Sequence, residues 1–486
     1  MATAAATKKG STFLRDGVAF KESLRDGRAV WVGGRRVEDV TKEPSLGPGI
    51  DLIAEMFDAQ FDPAYEDVTT YVDEEGNRFG RAWQIPVTQD DLRDRRKLIE
   101  YTTLKTAGTF GRPPDLAPLI ALGFLARKPR FSTSDKTFAD NIDRFYDFGH
   151  KNSVVMAEIL VDPQTDRSRS VAESPALLRV IAREPGGVRV AGAKSVGSIA
   201  AQGDAVIFTN LVRPDIPPEG CIWAWVPIAS EGLKLVCREG VSHPGADEFD
   251  HPLASKGEES DQLLIFDNVL IPNDQVFNLG DPELLKLYGP VSLWAHWHIL
   301  TRMWIKAELF VGAAQLVVDA IGTAQIPQVR SLVADLIEYA QALKAFVLAA
   351  ENLAELTEGG VLAPDVNLLT AGRLYSIAHY PRIIHTLQEL CGQGLVMRFS
   401  RADFDNPEIG PHLEELLPGH EISARDKNRL MSFVWDLTTD SLAGRTELFE
   451  NVNATPAPFL RERLYAEYPR ENLLGVVRDL AGLPPA

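Results

Sequence analysis

Residues 262–308 read QLLIFDNVLIPNDQVFNLGDPELLKLYGPVSLWAHWHILTRMWIKAE, and the fold turns on a change of pattern inside them. Up to Asn278 the apolar residues come in short β-rich runs broken by Asp, Asn and Pro. Beyond it they recur at the helical period of 3.6. Upstream, runs of the first kind extend back to about Ser153: Val154–Val161, Leu177–Ile181, Val188–Val190, Ala205–Thr209, Ile222–Val226 and Leu233–Cys237. Downstream, long Ala/Leu-rich stretches cover about Pro290–Ile321, Gln328–Leu356, Asn367–Cys391 and Ala424–Leu442, enough for a four-helix bundle. Before Ser153 the pattern is again helical, and its strongest helix, Asp90–Thr106, must stop at Gly108-Thr109-Phe110-Gly111-Arg112-Pro113-Pro114. The expectation is an α+β chain: an N-terminal helical domain (1–152), a central antiparallel β-barrel or sandwich (153–277), and a C-terminal four-helix bundle with a helical tail (278–486).

Length and composition agree with two or three domains at about 150 residues each. The 486 residues are 45% hydrophobic and 24% charged, which excludes wholesale disorder. A net charge of −18 without a local basic patch argues against nucleic-acid and anionic-membrane partners. Three scattered cysteines, Cys221, Cys237 and Cys391, cannot build a disulfide framework or a four-thiolate site, so no metal is expected. The N-terminus lacks a signal-peptide core and no apolar run reaches membrane-span length, which points to the cytoplasm.

No G-x-G-x-x-G, P-loop, H-E-x-x-H or C-x-x-C occurs, so the chain carries no visible nicotinamide-binding module. The wording it does carry is specific. Gly111-Arg112-Pro113-Pro114-Asp115, Asp162-Pro163-Gln164-Thr165-Asp166-Arg167-Ser168, Gly192-Ala193-Lys194, Phe249-Asp250-His251-Pro252-Leu253, Arg302 with Lys306, Ala402-Asp403-Phe404-Asp405-Asn406-Pro407 and Gly444-Arg445-x-Glu447-Leu448-Phe449-Glu450 follow in order from about Lys21 to Tyr468. Together they resemble the oxygenase component of the 4-hydroxyphenylacetate 3-monooxygenase family, on an acyl-CoA dehydrogenase-like architecture. The resemblance implies a two-component monooxygenase: a separate NAD(P)H:flavin reductase supplies FADH2, O2 adds at the flavin C4a, and the hydroperoxide hydroxylates an aromatic substrate. Such chemistry needs a dry, pre-organised pocket. A homotetramer is expected, because the long apolar helices exceed what one subunit covers.

Site residues follow from the same resemblance. Arg112 would hold an anionic oxygen of flavin or substrate. The family tyrosine four positions on is Leu116 here, and the histidine that binds the phenol oxygen in phenol-hydroxylating members is Glu158. A carboxylate facing a phenolate is unfavourable, so Glu158 is protonated, binds an N–H or amine, or has no substrate role. Gln164 and Arg167 would lie at the flavin edge, Ser198 would replace a flavin-site threonine, and Gly444-Arg445 would approach the flavin ring or pyrophosphate. His296 and His298 project about 200° apart on one helix, so only one faces a pocket. The family's spacing from its pocket histidine to the motifs of Gln164 and Arg445 falls on His296, so the resemblance implies His296 as the base that raises the electron density of an aromatic substrate. His298 is read as a structural partner of Arg302, four residues on. Losing the family tyrosine and histidine argues for a remodelled pocket, suited to a phenol-like or indolic secondary metabolite, free or carrier-bound. The competing readings are a flavoprotein dehydrogenase or dehydratase of the same fold acting on an acyl thioester, and a non-catalytic paralogue.

Overall fold

The structure is a computed structural model and describes residues 11–483 apart from 167, 169 and 454. The N-terminal segment folds mainly into the helices Gly47–Asp58, Gln89–Lys105, Ala117–Ser134 and Lys136–Asn152. The first helix foreseen in the sequence starts at a capping box, Thr88 with Asp91, and stops where Ala107 and Gly108 turn left-handed. Gly108 is irreplaceable for a second reason: a Cβ there would sit 2.8 Å from Cδ of Lys306.

The β-region is a sandwich of two sheets. A six-stranded sheet runs Arg35–Val37, Ala29–Val32, Leu233–Cys237, Gln262–Pro272, Gly187–Lys194, Arg179–Glu184, and a four-stranded sheet runs Val276–Leu279, Ile222–Pro227, Ala205–Thr209, Met156–Ile159. Val30, Val190, Leu235, Leu264 and Phe266 from the first share one buried core with Ala157, Ile159, Val206 and Phe208 from the second. Of the two expected forms, barrel and sandwich, the sheets take the second, since they do not close. One feature departs from the sequence reading: two pairs are parallel, Ala29 beside Lys234 and Met156 beside Ala205. The N-terminal segment thus lends two strands to the β-region, because a period-two pattern marks a strand but not its partner or direction.

The bundle consists of Leu293–Ala320, Pro327–Asn352, Val366–Cys391 and Ala424–Thr438. Its first helix is buried at every position from Leu293 to Ala307, polar residues included, since it runs through the middle of the molecule. The fourth ends four residues before the expected Leu442: Asp440 caps a new helix, Ser441–Leu448, with its carboxylate on Leu442 N. Gly444 and Arg445 therefore lie inside a short helix, not at the end of a long one. Two tail helices, Ala457–Glu467 and Glu471–Leu480, complete the chain. Among the described residues no helix is long and apolar enough to cross a membrane.

Candidate active site

Buried polar side chains gather where the N-terminal loop, the four-stranded sheet and the first bundle helix meet. Arg112 follows a loop held from both sides: the backbone N–H groups of Gly111 and Arg112 donate to the Glu259 carboxylate, the second at 2.6 Å. A Cβ on Gly111 would strike the Phe449 ring at 2.2 Å, so glycine alone allows this approach. The Arg112 guanidinium lies 5.3 Å from the centre of that ring and Arg445 lies 4.5 Å from it.

Glu158 sits on the strand Met156–Ile159, buried at all four positions. Burial raises its carboxyl above the usual range, opposed by the Arg112 charge and the Tyr288 hydroxyl. Its Oε1 is buried without a hydrogen-bond partner. Burial and the Glu158 charge also keep Tyr288 protonated, so this phenol is a donor.

His296 shares the field of Arg112 with Glu158. Burial first, then the positive fields of Arg463, Arg373 and Arg112, push its imidazole well below the ordinary value. It is a neutral ring in a positive field, hence a hydrogen-bond acceptor and only a weak base until an anion enters.

His298 points elsewhere. Its Nε2 lies 3.0 Å from Asp115 Oδ2, both buried, whereas Arg302 pairs with Glu450, Nη2 to Oε2 at 3.1 Å. The expected His298–Arg302 pair is therefore replaced by two pairs with residues far along the chain. Lys306, one turn beyond Arg302, is buried against Phe310 and Tyr380, and burial outweighs Glu450 to bring its ammonium down to about 7.

The expected flavin residues divide. Arg445 binds Glu259 and Asp261, with Nε to Asp261 Oδ2 at 2.9 Å, and Ser198 Oγ donates to Asp261 Oδ1 at 2.5 Å. Burial alone would raise Asp261, but Arg445 and Arg238 outweigh it and hold the carboxyl at about 2. Arg445 is thus already matched by two carboxylates, and fastens the bundle to the sandwich rather than offering a free cation. Gly444 is exposed with open space above its backbone, and Gln164 is exposed in the loop after Glu158. Arg167 lies outside the described residues.

Glu259 and Phe449 join Arg112 to Arg445, and through Asp261 to Ser198. Sequence reasoning missed Tyr288, Glu259, Asp261 and Arg373. The signal for two of them was the acidic run Glu258-Glu259-Ser260-Asp261, too short to stand out from a solvated turn.

A family model described as 4-hydroxyphenylacetate 3-hydroxylase, N terminal, matches residues 16–278, and its C-terminal counterpart matches residues 289–482. The chain belongs to this family. It is 34% identical to a 4-nitrophenol 4-monooxygenase/4-nitrocatechol 2-monooxygenase oxygenase component of Rhodococcus opacus, over 92% of this chain and 87% of that one. A 4-hydroxyphenylacetate 3-monooxygenase oxygenase component of Thermus thermophilus is 30% identical over 94% of this chain and 95% of its own. Among solved structures, the oxygenase component complexed with FAD and 4-hydroxyphenylacetate superposes with a TM-score of 0.91 at 29% identity, covering 96% of this chain and 98% of that chain.

Proposed function

We propose that this chain is the oxygenase component of a two-component monooxygenase that hydroxylates a small aromatic substrate with O2 and FADH2. It is an enzyme, a flavin-dependent monooxygenase of the 4-hydroxyphenylacetate 3-hydroxylase family, and its cofactor is FAD. The observation that carries the reading is that both halves of the family match this chain, and the burial of Glu158 and His296 within the field of Arg112 supports it. The open backbone at Gly444 and the exposed Gln164 amide fit a flavin as contact surfaces, and Ser198 and Arg445 fit as the bonded frame behind them. Bound there, the flavin supplies activated oxygen. The protein's part is to place the aromatic ring, hold its proton and exclude water.

Arg112, with the fields of Arg373 and Arg463, stabilises negative charge on the ring oxygen or nitrogen of the substrate. His296, held neutral, accepts that group's hydrogen bond and takes its proton as charge develops. Glu158 adds one carboxylate oxygen, Oε1, without a hydrogen-bond partner, so a substrate with a second donor, a phenol-like hydroxyl or an indolic or amine N–H, completes it. The dehydratase alternative needs cysteines and a histidine around one cluster. Among the described residues Cys221, Cys237 and Cys391 are separately buried, and none joins a metal-ligating group.

The reductase is a separate NAD(P)H:flavin reductase, meeting this chain transiently or by diffusion of FADH2. The purified chain with FAD and NADH is expected to consume no NADH, and to make product once a flavin reductase is added. Steady NADH oxidation by the chain alone would refute the division of labour. The setting is the cytoplasm, and the units 1–152, 153–277 and 278–486 serve as its domains. The assembly is a homotetramer: Leu473, Leu474, Val476, Val477 and Leu480 of the last tail helix are all exposed, a face that a neighbouring subunit would cover. Light scattering at micromolar concentration is expected to give four times the 53.5 kDa chain mass, and a monomer would remove the claim.

A further inference from the structure

Away from the active-site cluster, two histidines of the loop after Cys237 meet the junction of two bundle helices. His243 Nε2 lies 2.9 Å from Asp440 Oδ2, and His251 Nδ1 lies 3.2 Å from Asp436 Oδ1. The two imidazole rings are 4.2 Å apart. One ligating atom from each of His243, His251 and Asp440 falls within 4.8 Å of the others.

We propose that His243, His251 and Asp440 bind a divalent transition-metal ion of the Zn2+ class, with water at the fourth position. The donor set is two imidazoles and one carboxylate, the mixture that suits zinc and its neighbours rather than Ca2+ or Mg2+. Asp436 supplies what a bare cluster would lack, an orienting partner. Its carboxylate is fully buried and accepts from Leu253 N and Ala254 N, both at 2.9 Å, as well as from His251. A His251 held through Nδ1–H keeps its lone pair on Nε2, the carboxylate–histidine arrangement that fixes a metal ligand's tautomer. Asp440 is likewise anchored, one oxygen capping Leu442 N while the other faces His243. His243 and His251 remain partly exposed, which leaves a route for the ion to enter.

The bound ion would cross-link the 238–257 loop to the start of the helix that carries Gly444 and Arg445, stabilising the native chain by mass action. Sequence inspection finds no metal signature because the aspartate lies 197 residues from His243.

The test uses the full chain, stripped with a chelator and titrated with Zn2+ alone by calorimetry, with thermal unfolding followed in parallel. One ion per chain is expected, with a raised Tm. The His243→Gln and His251→Gln variants should bind at least about 100-fold more weakly, and Asp436→Asn about 10- to 100-fold more weakly, as for an orienting residue. Because His243 is partly exposed, its variant should fold, which circular dichroism checks. Co2+ in place of Zn2+ gives a second readout, visible absorption bands of a low-coordinate N2O site present in wild type and absent from His243→Gln. The proposal is overturned if wild type takes up no Zn2+ at micromolar concentration, or if His243→Gln and His251→Gln bind Zn2+ and Co2+ as wild type does.

Discussion

His296→Ala is expected to leave FADH2 binding and O2 consumption intact while lowering hydroxylated product per O2 by about 10²-fold, the usual contribution of a positioned general base. The lost oxygen should leave as H2O2. The ring is buried and held neutral, first by that burial and then by the positive fields of Arg463, Arg373 and Arg112, so its role is to accept a proton only when an acidic aromatic group arrives. The three arginines favour the substrate anion, and removing the imidazole takes away the acceptor but not that field. Glu158→Gln separates recognition from proton transfer: it keeps an acceptor oxygen, so it should raise the substrate's dissociation constant when the substrate donates from N–H or an amine, with the coupling ratio changed less than in His296→Ala. Unchanged coupling in His296→Ala would move substrate activation to another group.

The second large effect concerns stability. Glu450→Gln should cost about 3–5 kcal/mol, because it leaves Arg302 charged and buried without its counter-ion. Glu450 is fully buried, bonds Arg302 through both oxygens, and lies close to Lys306 and Arg373, which also draw its carboxyl down. Burial opposes that drop and the cations win. Urea unfolding measures the cost. Arg302→Met combined with Glu450→Leu should lose less than the single Glu450→Gln, since the pair is removed together. A loss below about 1 kcal/mol for Glu450→Gln would mean that water reaches Arg302 and screens its charge.

The succession of helices, strands and bundle was legible because hydrophobic period changes sharply near Ser153 and Asn278. That the two histidines of the first bundle helix point apart was legible as well, and the structure gives His298 to Asp115. What pairs with what was not legible. Asp115 is 183 residues from His298, Asp261 is 184 from Arg445, and Ala29 reaches Lys234 across the whole β-region. Side-chain chemistry announces that such a partner is needed without naming it. The break at Asp440 was hidden for a different reason. Its apolar neighbours carry the helical period through to Leu442, while the cap that interrupts it is one carboxylate on one N–H. The depressed basicity of His296 was not legible, because it comes first from burial and then from Arg463 and Arg373, which the sequence places on other helices.

The most direct measurement supplies the chain with reduced FAD, 18O2 and a panel of phenols and indoles, and follows the product by mass spectrometry. The account predicts one 18O atom in the hydroxylated product, formed from reduced FAD with no NAD(P)H present. Product carrying oxygen from water, or reduced FAD that yields only H2O2 with every aromatic offered, would contradict it.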